Sequence, residues 1–193
     1  MIYLAVFVSG FCVMVIEIIG ARFISPYFGS SVYVWGSVIS VFMVALATGY
    51  YAGGWLSARS ASYRVFGLFY IIPALVSIVL IEPTGRILLY IANEASDPRF
   101  GALAACFILF FVPVSVLGAI SPYSIRLIVV RSHLSGQQAG QLYFLSTVGS
   151  AVGTLLTSFY FILWASINTI AVLNACALVM MGVVLVMRGN RAQ

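Results

Sequence analysis

The stretch ARFISPYFGSS (Ala21–Ser31) shares the tetrapeptide ISPY with LGAISPYSIRL (Leu117–Leu127), and the residues around the two copies decide the architecture. An apolar run of span length leads into each copy, Ile2–Gly20 before the first and Gly101–Ile120 into the second. After each copy comes a second run that opens on aromatic residues and continues through small ones. VYVWGSVISVFMVALATGYYAGG (Val32–Gly54) follows the first, and LYFLSTVGSAVGTLLTSFYF (Leu142–Phe161) follows the second. Gly36, Ser37, Ser40, Gly49 and Gly53 in one run have counterparts in Ser146, Thr147, Gly149, Ser150 and Gly153 of the other. With Tyr33 set against Tyr143, the connection after the second copy is 14 residues longer.

Composition assigns the solvent. Hydrophobic residues make up 63% of the 193 residues and charged residues 7%, with a mean hydropathy of +1.15. A soluble domain carries about 25% charged residues, so this chain has too little polar surface to face water. An all-α integral membrane protein is expected. The net charge of +5 and pI near 9.3 would point to nucleic acid in a soluble protein. In a membrane protein the same excess reads as Arg-rich cytoplasmic loops, and no nucleic-acid partner is expected.

Six stretches approach the roughly 20 apolar residues that a span requires. They are Ile2–Gly20, Val32–Leu56, Val65–Ile81, Gly101–Ile120, Leu142–Leu163 and Thr169–Met187. The first is read as a retained helix rather than a signal peptide, since it lacks a basic start and carries Glu17. With a cytoplasmic N-terminus, Arg59, Arg64, Arg126, Arg131, Arg188 and Arg191 fall inside, and Arg22, Arg86 and Arg99 outside. Glu82, Glu94 and Asp97 also fall outside, in keeping with the positive-inside rule. Both termini are therefore expected in the cytoplasm of a bacterium with the chain in its inner membrane.

The whole chain reads as one transmembrane domain with half-repeats at about 1–81 and 101–187. The joining segment 82–100 opens on Pro83 and is expected to place Ile87–Ile91 as a short amphipathic helix at the outer interface. A second interfacial helix is expected within Ser121–Gln141 on the cytoplasmic face, ending near Ser135–Gly136. Three spans per half is an odd number, so the halves would enter the membrane from opposite sides. Such 3+3 inverted repeats build each six-helix half of major-facilitator transporters. The competing reading is chance, because small residues line any tightly packed membrane helix.

The stretch EIIGARFISPYFGSSVYVWGSVISVFMVALATGYYAGGWLSAR (Glu17–Arg59) resembles the membrane domain of bacterial fused major-facilitator/spermidine-synthase-like proteins. The acidic residue, the Ala-Arg pair, the PYFG turn, the VWG helix start and the GYxxGG segment come in that family's order. Leu117–Leu127 and Ser135–Phe159 are similar to its second half. The resemblance implies a facilitator-like fold. Family members often continue into a soluble synthase-like domain, which would need a Gly-rich loop after a strand and an acidic residue for the cofactor ribose. Neither occurs here, so aminopropyl transfer is not expected of this polypeptide.

Few side chains suit chemistry. Glu17 is the one acid inside an expected span, and intramembrane acids are costly and often functional. Two readings stand: pairing with Arg22 at the end of the helix, or proton coupling. Asn174 lies within the sixth span and Asn168 just before it, as groups for bonds between helices. Arg126 marks the cytoplasmic loop. Tyr50, Tyr51 and Trp55 read as interfacial aromatics, as do Tyr33 and Trp35. Pro26, Pro73, Pro113 and Pro122 are expected to break or kink helices. His133 is the single His, which leaves no pair to hold haem and no Ser-His-Asp set. Cys12, Cys106 and Cys176 fall in three different spans without metal spacing.

The chain is accordingly expected not to be an enzyme and to need no cofactor, although bound lipid or quinone suits its composition. The leading expectation is a transporter-derived fold serving as an accessory or scaffold subunit of a larger membrane complex, in contact with lipids and other integral proteins. One alternative is a small-molecule or lipid transporter working as a homodimer of half-facilitators. Another is a membrane anchor for a separately encoded spermidine-synthase-like protein, held through the Arg126–Arg131 loop. A transporter requires Glu17, Arg22, Asn174 and the two prolines inside spans, Pro73 and Pro113, to converge on one cavity.

Overall fold

The computed structural model describes residues 1–59, 61–128 and 135–191, which are helical apart from short connectors. The helices are α1 (Ile2–Phe28), α2 (Val32–Arg59), α3 (Tyr63–Glu94), α4 (Pro98–Gly118), α5 (Ile120–Ile128) and α6 (Ser135–Leu156). A π-helical turn, Thr157–Phe161, leads from α6 into the short α7 (Ile162–Trp164), and α8 (Ile167–Arg191) completes the order. Six of the helical stretches are long and apolar enough to cross a membrane, counting α4 with α5 and α6 with α7 as one each. The chain is a six-helix, multi-pass membrane protein by length and composition.

Local chemistry sets the helix ends. Gly29 closes α1 at φ 82 and ψ 171, a conformation open essentially to glycine alone, and its N–H donates to Ser25 O at 2.8 Å. Ser62 caps α3 by accepting the Arg64 N–H at 3.2 Å. Asp97 caps α4 by accepting the Arg99 N–H at 2.8 Å, with Pro98 in the first helical position. Ser166 does the same for α8 through the Thr169 N–H at 3.2 Å.

Short connectors make successive spans alternate in direction. One end of the bundle, called here the near end, gathers the start of α1, the start of α6 and the end of α8. There Tyr3 OH donates to Gln141 Oε1 at 3.3 Å, and Gly189 packs on Tyr63 and Arg64. The far end holds the turns at Gly29, Ser96 and Ala165.

Three helix pairs form the main interfaces: α3 with α8, α1 with α6, and α2 with α4. Each closes over glycine. A Cβ on Gly10 would strike Ser146 O, one on Gly149 would strike Phe7 O, and one on Gly49 would strike Ser115 O. Gly67 and Gly182 face each other in the same manner between α3 and α8. Lipid is as apolar as leucine, so such close backbone approach, rather than expulsion of water, holds membrane helices together. Hydroxyls add to it: Thr48 Oγ1 and Ser115 Oγ lie 3.1 Å apart, and Ser150 Oγ donates to Gly10 O at 3.2 Å.

Several sequence expectations change here. The expected interfacial helix at 87–91 is not separate, because α3 runs unbroken through Glu82 and Pro83 to Glu94. Thr84 and Leu88 are buried in the bundle, which keeps that segment upright against its neighbours. At about 48 Å the helix is longer than the roughly 30 Å hydrocarbon layer. Ser135–Gly136 begins α6 instead of ending an interfacial helix, and α5 continues α4 after a turn at Ala119. Pro26, Pro73 and Pro113 lie inside helices that pass through them, and Pro122 sits in the first turn of α5. A proline costs one backbone bond, and packing of the surrounding helix faces outweighs that loss here.

Candidate functional site

Because α1 continues through the first ISPY, Glu17 stands near the middle of that helix rather than at its end. It is eleven residues, about 16 Å, from Phe28. It is half-buried, and no hydrogen bond or ion pair reaches it among the described residues. Arg22 is exposed. Five residues separate the two along one helix, which sets them about 140° apart around its axis, so the pairing expected from sequence does not form. Arg126 is exposed on α5. Arg131 and His133 lie outside the described residues.

Asn174 is where polar chemistry meets empty space. It is 7% exposed on α8, and its Nδ2 donates to Cys12 O on α1 at 3.5 Å. Its Oδ1 is buried and has no partner among the described residues. Two cavities share this side chain. The central one, about 50 Å³, lies between α1, α3, α4 and α8 and is lined by Ile16, Phe23, Ser77, Thr84, Phe110 and Pro113 among others. The lateral one, about 470 Å³, opens between α1, the π-turn and α8, with Phe11, Val15, Tyr160, Phe161, Trp164 and Leu173 in its wall. A third hollow at the far end holds Tyr27, Glu82, Gly85 and Asn168. It shares Phe23, Ile81 and Thr84 with the central cavity, so the two are neighbours.

Of the residues singled out from sequence, Asn174 and Pro113 line the central cavity. Glu17, Arg22, Arg126, Pro26, Pro73 and Pro122 are not among its lining residues. Ser77 does line it, one helical turn after Pro73. Thr84 and the π-turn escaped the sequence reading. A threonine directly after Pro83 was the available signal for the first, and Thr84 Oγ1 indeed bonds back to Leu80 O. Nothing in TSFYF announces a π-turn.

The second ISPY carries its own contact. Tyr123 is fully buried among Phe66, Phe69 and Tyr70, stacked on Phe66 at 6.0 Å between centroids. Arg99 lies over the Tyr33 ring at 4.4 Å and Arg59 over Trp55 at 3.6 Å, which gives one exposed aromatic at each end a cationic partner. Cys12 and Cys106 are buried and Cys176 is exposed, all as free thiols. Among the described residues no three His, Cys, Asp or Glu side chains gather as metal ligands. In comparisons with known proteins, no protein-family model, no curated protein and no solved structure matches this chain.

Proposed function

We propose that the chain is a non-catalytic subunit of a larger membrane complex, in which its helices pack against those of other integral proteins. Glu17 carries this reading. An ionisable group deep in a span almost always faces the bundle interior or a water-filled cavity and is paired. Glu17 is half-buried, unpaired among the described residues and not among the lining of the central cavity. A donor on a neighbouring chain would complete it. Exposed apolar faces on α2, α6 and the π-turn, with Met43, Tyr51, Phe144 and Phe159 outward, offer the contact area.

The same scatter of groups counts against a transporter. Of the five residues such a site needs, only Asn174 and Pro113 line the central cavity. At about 50 Å³ that cavity holds little more than water.

The architecture proposed for the subunit is the 3+3 inverted repeat, with both termini in the cytoplasm of a bacterial inner membrane. Pairing of helices supports it. Exchanging α1 with α4, α2 with α6 and α3 with α8 turns the α1–α6 pair into the α4–α2 pair and leaves α3–α8 unchanged. The ISPY tyrosines agree, since Tyr123 bonds the cap of α3, and Tyr27 shares a hollow with Asn168 in the first turn of α8. The motif order of Glu17–Arg59 supports kinship with the membrane domain of the fused major-facilitator/spermidine-synthase-like proteins. Three outward-assigned Arg against six inward support the orientation.

The experiment is purification in gentle detergent from the native membrane, with a photo-crosslinking residue in place of Glu17. An integral protein recovered in stoichiometric amount, and crosslinked at position 17, supports the subunit reading. Recovery of the chain alone, with lipid the sole adduct at that position, rejects it.

A further inference from the structure

We infer that the lateral cavity is a binding site for a hydrophobic alcohol, a long apolar tail ending in a hydroxyl, which donates its hydrogen bond to Asn174 Oδ1. This inference is independent of the subunit proposal, because it uses neither Glu17 nor a partner protein.

Space comes first. A volume of about 470 Å³ falls within the usual range for small-molecule sites. The wall is aromatic and aliphatic, and Trp164 and Leu173 at its rim are 86% and 62% exposed, so the opening faces the lipid side of the bundle. The π-turn helps to make the space. Its wider hydrogen-bonded ring rotates Tyr160 and Phe161 relative to a regular helix, and π-turns recur at functional sites. Phe161 meets Phe11 edge-on at 6.4 Å, joining the π-turn to α1 beside the cavity.

Asn174 then selects the head group. The side-chain amide has two orientations, and the bond to Cys12 O decides between them, because a carbonyl accepts only from Nδ2. Oδ1 is thereby left as a buried, unpaired acceptor on a side chain that lines both the lateral and the central cavity. Leaving such an atom unsatisfied is costly, and a donor repays that cost. A ketone or ester ligand brings acceptors alone. A hydroxyl on a diacylglycerol, a polyprenol or a reduced quinone brings the donor while its tail fills the apolar space. Water in the small central cavity is the competing partner for Oδ1.

The test uses the purified full chain with Trp35→Phe and Trp55→Phe, so that Trp164 alone reports on the cavity. Quenching of its fluorescence is titrated with a brominated diacylglycerol and with the same lipid capped as its 3-O-methyl ether. A bromodecyl benzoquinol forms a second arm. The expected result is saturable binding of at least one hydroxyl compound, with the matching methyl ether about tenfold weaker, the factor one lost hydrogen bond supplies. Which arm binds identifies the head as alcohol or phenol. Asn174→Leu should bring the hydroxyl compound down to the level of its ether, and Ala177→Phe should abolish binding of both by filling the space. Equal affinity for alcohol and ether, or no saturable quenching by either arm, overturns the inference and leaves water on Oδ1. The ether comparison needs no substitution at Asn174, so the outcome stands even where that variant fails to fold.

Discussion

Tyr123 and Ser62 exchange two hydrogen bonds across 61 positions of sequence. The Ser62 N–H donates to the Tyr123 hydroxyl at 2.8 Å, and that hydroxyl donates to Ser62 O at 3.3 Å. A side chain of the second ISPY thus clamps the residue that caps α3, and the cap, the ring cluster and the α4–α5 bend hold one another in place.

Removing the hydroxyl should be felt throughout that corner. Tyr123→Phe leaves the Ser62 backbone N–H without its described partner and should cost about 1–3 kcal/mol. Tyr27→Phe, at the matching place in the first ISPY, removes a hydroxyl for which no hydrogen bond is described and should stay within about 0.5 kcal/mol. Reversible unfolding in mixed detergent measures both. Equal losses at the two positions would contradict the asymmetry of the two motifs.

The glycine contacts of α6 predict opposite outcomes on one helix. Gly149→Leu drives a side chain into Phe7 O and should destabilise by about 1–3 kcal/mol or prevent folding. Gly140→Leu meets nothing within 4 Å and gains helix propensity, so stability should hold or rise by up to about 1 kcal/mol. The same unfolding assay compares the pair, and a tolerated Gly149→Leu would refute the close approach of α1 and α6.

Gly29 isolates a backbone effect. A Cβ there finds open space, so the cost of Gly29→Ala comes from the positive φ alone, about 1–3 kcal/mol. Gly36→Ala, seven residues on with ordinary helical φ and equally open space, should be neutral or mildly stabilising. Indistinguishable melting of the two variants would refute the conformation at Gly29.

The last third of α3 separates an upright helix from an interfacial one. Leu88 is fully buried, and Leu88→Ala should cost about 2–5 kcal/mol. Leu89 is 54% exposed, and its truncation should cost less than about 0.5 kcal/mol. A helix lying flat on the bilayer would give neither loss, and thermal unfolding of the two variants decides.

Hydropathy alone made the six spans legible, because α1, α4 and α8 are apolar nearly all round. It failed where packing sets the boundary. Glu82 and Pro83 look like the end of a span, yet burial of Thr84 and Leu88 carries α3 twelve residues past Glu82 to Glu94. Taking ISPY as a stop likewise moved Glu17 to the end of its helix, since one proline near a terminus outweighed the apolar residues beyond it. Asn174 was visible as a lone amide in an apolar run. Its cavity was not, because that space depends on a π-turn and on the separation of three helices that sequence does not encode locally. Arg22 and Glu17 looked like partners by proximity in sequence, and helical geometry put them on different faces.

The three glycine-lined pairs also govern the order in which the molecule can be completed. α1 meets its partner α6 more than a hundred residues later in the chain, and Asn174 reaches back 162 positions to Cys12. At about 5–20 residues per second, a ribosome needs roughly 5–25 seconds to deliver α6 after α1 has been made. For that interval the face at Gly10 and the face at Gly67 stand open to lipid and to any passing helix. Assembly therefore waits on the last spans to emerge, and a stalled or truncated chain would present the bilayer with ready-made docking faces and no internal partner to cover them.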